Sequence, residues 1–128
     1  MIFVLIKWKI ENKQEQIDTF LDFWKQEAVV QDRKGLVGEF LSELGSKESY
    51  DYITWNFERP EGDTYKIFVN VAVWADADAF QEQIGQYFND KKPLMSFEAE
   101  RRVRIVLEPA CWRLGDAPLP GHDSDGVL

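Results

Sequence analysis

The spacing of hydrophobic and polar positions changes several times along this chain, and each change marks an element. From Ile2 to Ile10 the side chains alternate. Ile2, Val4, Ile6, Trp8 and Ile10 point one way, and Phe3, Leu5, Lys7 and Lys9 the other. A period of two predicts a strand. The second set is apolar early and cationic late, so that face runs from buried to exposed. The period then becomes helical: Ile17, Phe20, Leu21, Trp24 and Ala28 form one stripe. Asn12 offers an N-cap, with Glu15 three residues on as a capping box requires. Arg33 and Lys34 suit the negative C-terminal end, and Gly35 suits the position just past it. A helix is expected from about residue 13 to about residue 32.

Alternation returns at Leu36–Leu44, with Leu36, Gly38, Phe40, Ser42 and Leu44 on one side and Val37, Glu39, Leu41 and Glu43 on the other. Residues 45–49 form a turn. Tyr50–Phe57 is β-branched and aromatic, hence strand-like. Residues 59–63 form a second turn. The long segment Tyr65–Trp74 is apolar at every odd position. Its even positions from residue 68 on are Phe68, Asn70, Ala72 and Trp74. A nearly continuous apolar run predicts a strand covered on both faces. Helices of one small domain can cover one face only, so the other face calls for a partner, most simply a second copy. Asp76 then caps a second helix, with Ala77, Phe80, Ile84, Tyr87 and Phe88 as its apolar stripe and Lys91-Lys92-Pro93 as its stop. Leu94–Glu98 suits a short helical turn. Arg101–Glu108 predicts the last strand, with Val103, Ile105 and Leu107 on one face and Arg102, Arg104 and Val106 on the other. Beyond Pro109 the prolines and glycines forbid regular structure. Ala110–Leu114 is still apolar enough to pack on the sheet edge or on a partner.

The order strand, helix, strand, strand, helix, strand is a ferredoxin-like βαββαβ pattern, an α+β fold with one extra strand or hairpin inserted. The segments VAVWADADAFQEQI, FVLIKWKI and GLVGEFLSEL sharpen this. Over residues 2–109 the chain resembles the antibiotic-biosynthesis-monooxygenase (ABM) domain. The resemblance implies a dimeric α+β barrel, residues 1–109 as the domain and residues 110–128 as an irregular extension. It also implies that Trp74 lines a cleft between sheet and helices, with Asn70 and Phe68 on the same face. The Tyr50–Asp63 insertion is longer than the family's usual hairpin and is a candidate lid. The family includes cofactor-independent oxygenases of phenolic substrates, haem-degrading enzymes, and small proteins without known activity. Its haem-degrading branch places an asparagine in the first strand, where this chain has Ile6 or Lys7. That branch also places an iron-ligating histidine in the second helix, where this chain has Gln83 and Ile84. No histidine precedes His122, so only Tyr or Cys could stand in as a haem ligand.

Composition narrows the function further. The 128 residues suit one domain with one core. A formal net charge of −8 argues against nucleic acid and against an anionic membrane surface. The single cysteine, Cys111, and the absence of a leader pattern suit a reducing cytoplasm. No zinc spacing, phosphate loop or Ser/His/Asp set is present, so haem, flavin and metal are not expected. Asp76, Asp78 and Glu82 read as helix-start solvation rather than metal ligands.

The candidate chemistry is then Asn70, Trp74, Arg104 and Tyr87, with Phe68 and Trp74 as ligand-binding aromatics. Asn70 either orients a substrate oxygen or makes a structural bond. Trp74 either stacks on a planar ligand or wedges the strand–helix corner. Arg104 either pairs with an anionic substrate or with a protein carboxylate, and Tyr87 is a proton donor or a core residue. Two functions fit: a cofactor-free monooxygenase of a small planar phenol, or a non-catalytic dimeric module that binds a small apolar ligand or a protein.

Overall fold

The computed structural model describes residues 1–27, 32–44, 49–52, 64–85, 88, 92–118 and 127–128. Its elements are β1 (Ile2–Glu11), α1 (Gln14–Asp22) continued by a π-helical turn (Phe23–Glu27), β2 (Leu36–Glu43), β3 (Tyr65–Trp74), α2 (Ala77–Ile84) and β4 (Val103–Leu107). The strands form one sheet in the order β2-β3-β1-β4, and every neighbouring pair is antiparallel. This is the ferredoxin-like α+β topology expected from the sequence.

Sheet register explains the two faces. Ile2 pairs with Trp74, Val4 with Ala72, Ile6 with Asn70 and Trp8 with Phe68. Side chains directly opposite share a face, so these residues all meet the helices. They form the core with Ile17, Phe20 and Phe23 from the first helical segment, Phe80 and Ile84 from α2, and Phe97. The other face carries Phe3, Leu5, Val71 and Val73, together with Phe40, Val103, Ile105 and Leu107, the last four of which are exposed. The helices do not reach it.

Several local expectations are corrected. The first helix is capped at Lys13, not Asn12, and no side chain caps it. The backbone N–H of Asn12 is instead spent on the carbonyl of Thr64, at 2.9 Å, which extends the β1–β3 pairing. The α-helical period ends at Asp22, and the wider turn that follows buries Phe23 and leaves Trp24 half-buried. In β2 the alternation is broken by a bulge between Leu36 and Gly38. Leu36 faces the helices, and so do Glu39 and Leu41, because the extra residue reverses the parity. Tyr50–Tyr52 lie in a turn rather than a strand, while residues 53–57 fall outside the described ones. Trp112 and Leu114 are exposed in the single chain, so of the two surfaces expected for this segment the sheet edge is not the one it packs on.

Two close contacts fix the crossing from β2 to α2. Gly35 has φ of +82°, which glycine adopts without steric cost. A Cβ built there would sit 2.4 Å from the Cβ of Ala79. Asp76 caps α2 as expected, its carboxylate accepting from the Ala79 N–H at 2.7 Å. Among the described residues no helix is long and apolar enough to cross a membrane.

Candidate functional site

Asn70 is the sole polar side chain in the core among the described residues, and it is 1% exposed. Its position follows from strand parity: it sits between Phe68 and Ala72 on the helix face of β3. Across the sheet it is flanked by Ile6 of β1 and Leu41 of β2. Its Nδ2 donates to Oε1 of Glu39 at 2.5 Å. A charge-assisted bond of this length ties the amide firmly to the carboxylate. Asn70 Oδ1 is buried with no hydrogen-bond partner, as is Nε1 of Trp8.

A small cavity of about 30 Å³ adjoins this pair, lined by Ile6, Trp8, Trp24, Glu39, Asn70, Ile84, Arg102 and Arg104. That space is about what one water molecule occupies. Ile6, Trp8, Asn70 and Ile84 are buried; Trp24, Glu39, Arg102 and Arg104 are partly exposed. Apolar walls with a few converging polar groups match the lining of a small-molecule site, while the volume is about a tenth or less of the usual one. Burial pushes the Glu39 carboxyl above the usual carboxylate range, and the Asn70 hydrogen bond and the Arg33 charge only partly offset this.

The cationic wall is held in place. The Arg102 guanidinium lies 4.1 Å from the Trp8 ring centroid. Its Nη2 donates to Glu98 Oε1 at 2.6 Å. Arg104 pairs with Ile6 in the β1–β4 ladder, and its guanidinium lies 5.2 Å from the Phe88 ring centroid.

Of the residues singled out in the sequence, Asn70 and Arg104 come together at this cavity. Trp74 and Phe68 share the face of Asn70 but do not line the cavity. Trp74 is 1% exposed and packs on Phe80 at 5.9 Å, and Phe68 packs on Phe20 at 5.0 Å. Tyr87 lies outside the described residues. Of Ile6 and Lys7, it is Ile6 that lines the cavity, and on α2 the cavity-lining residue is Ile84. Glu39 and Trp24 were missed in the sequence. Simple alternation groups Glu39 with Val37, Leu41 and Glu43 without marking it, and the bulge is what puts it on the face of Leu36. Trp24 belongs to the predicted apolar stripe of the first helix, from which the π-helical turn displaces it.

A larger hollow of about 420 Å³ is lined by Thr19, Asp22, Phe23, Gln26, Met95, Ser96 and Phe97. It is wide and open. None of its lining residues carries a buried polar atom without a partner among the described residues, so the smaller cavity is the better candidate. No cluster of three or more metal-ligating side chains occurs among the described residues.

No family model and no curated protein matches this chain. Among solved structures, it is similar to a variant of MhuD crystallised with two manganese protoporphyrin IX molecules per active site. The identity is 17% and the TM-score 0.44, over 88% of this chain and 99% of that one. The fold assignment rests on the sheet order and register given above.

Proposed function

We propose that the chain is a cofactor-independent monooxygenase of a small planar phenol, with its site at the cavity beside Asn70. The observation that carries this reading is the buried Asn70–Glu39 pair facing a small, tryptophan-walled space. The protein's part would be to exclude water, orient the ring and favour the substrate anion. The anion of an electron-rich phenol, with its charge spread over an extended ring system, can pass an electron directly to dioxygen. Recombination at a ring carbon followed by loss of water gives one quinone and one water from one phenol and one dioxygen. No external reductant is needed. Arg104 and Arg102 would stabilise the anion, and Trp24 would swing aside to admit the ring, since the cavity as it stands holds only the hydroxyl end.

The small volume favours a second reading, in which the same fold is a non-catalytic dimeric module for a small apolar ligand or a protein. Oxygen uptake with a panel of mono- and polycyclic phenols separates the two. The oxygenase reading expects uptake matched by quinone formation, without added metal, flavin or reductant. Binding of phenols with no uptake above the buffer rate would leave the module reading.

A further inference from the structure

We infer that Glu39 is the base that takes the proton from the substrate hydroxyl, and that Asn70 is the positioning residue that holds it; this rests on the reading of the cavity as a phenol site. Among the residues lining the cavity, Glu39 is the one side chain able to accept a proton near neutral pH. A guanidinium, an amide and an indole offer no base.

The backbone aims Glu39 there. Leu36 is opposite Trp74, Gly38 opposite Val73 and Glu39 opposite Ala72. Without the extra residue at the bulge, Glu39 would fall opposite Val71 and turn to the exposed face. A bulge that re-aims one side chain is a known use of this irregularity beside functional sites. Once turned inward, the carboxylate receives the Asn70 amide at 2.5 Å. That bond fixes one oxygen and leaves the other available. The half-buried setting also raises its proton affinity toward that of a phenol.

The step balances. The phenol O–H bond breaks, a new O–H bond forms on Glu39, and the electron pair stays on the phenolic oxygen. The negative charge moves from carboxylate to substrate, so the net charge of the cavity does not change. Arg102 and Arg104, which line the same cavity, are the cations nearest to hand for the phenolate.

The test uses 4-nitrophenol, whose anion absorbs in the visible, at a pH below its own pKa. Bound to the wild-type chain it should show the anion spectrum; bound to Glu39→Gln it should show the neutral one. Asn70→Ala should give a mixture. Calorimetry of the wild-type chain in two buffers of different ionisation enthalpy supplies a measurement that needs no variant. Because the proton stays on Glu39, no net release is expected; one proton released per anion bound would overturn the inference. So would an anion spectrum that survives in folded Glu39→Gln. An anion spectrum lost in that variant, with no oxygen uptake by the wild type, would keep Glu39 as the base and refute the oxygenase. Oxygen uptake that persists undiminished in Glu39→Gln would do the reverse; the inference expects a fall of about 10²–10⁴-fold. Failure of the wild type to bind the probe would refute both.

Discussion

Asn70 and Trp74 stand four residues apart on one strand face, yet the structure gives them different work. Trp74 is enclosed by core side chains and stacks obliquely on Phe80. Trp74→Ala should therefore cost about 3–5 kcal/mol in denaturant unfolding, while phenol affinity below the melting range stays within a few-fold. Loss of binding in a still-folded variant would return Trp74 to the site. Asn70→Ala removes the donor that faces Glu39 and leaves a carboxylate half-buried, which should cost about 1–3 kcal/mol. Glu39 itself links stability to pH. Its folded pKa lies above the ordinary 4.5, chiefly because of burial, with Asn70 and Arg33 opposing. The charge that acts on it is Arg33, and Arg102 and Arg104 line the same cavity. The folded state then holds the proton more tightly than the unfolded one. Its stabilising contribution is complete below pH 4.5 and is lost as pH rises through the folded value. Compared with wild type, Glu39→Gln should gain stability progressively above pH 4.5 and show no gain below it. Thermal melts of both proteins across pH 4–8 would show the divergence, and parallel curves would contradict it.

At the level of elements, hydrophobic period located both helices, the faces of β1, β3 and β4, and the Asp76 cap, because each follows from a local rule. The two features that build the cavity do not follow from such rules. An α-period extrapolated from Ile17 and Phe20 puts Trp24 in the core, but the π-helical turn substitutes Phe23, which packs on Trp8 and Phe97. Strict alternation from Leu36 puts Glu39 outside, but the bulge turns it inward. Each device adds one residue without changing composition, so sequence periodicity passes over it. Both sit where the chain departs from the rule, which is where functional geometry tends to be found. Gly35 is the hinge pin of this arrangement. Gly35→Ala places a side chain at φ of +82° and into Ala79. The backbone conformation alone costs about 1–2 kcal/mol, and the clash adds to it. The expected result is a lower melting temperature together with weaker probe binding, since β2 and α2 both shift. An unchanged melt would contradict the account of the β2–α2 crossing.

For the whole molecule, the open sheet face states the remaining requirement. Phe40, Val103, Ile105 and Leu107 are 39–50% exposed on the face that the helices leave bare. A contiguous apolar surface of this kind marks an interaction site, and a second copy packed face to face would cover it. Light scattering at micromolar concentration should give twice the 15.0 kDa chain mass, and Ile105→Lys should shift it to the monomer; a monomeric wild type would contradict the barrel arrangement. The Asn70–Glu39 cavity is where a phenol is expected to bind. A co-crystal structure with a bicyclic phenol tests it most directly. The phenolic oxygen should lie within hydrogen-bond distance of Glu39, with the ring against Trp8 and Trp24 displaced from its present place. A ring bound elsewhere, or an unchanged Trp24 closing an empty cavity at saturating phenol, would contradict it.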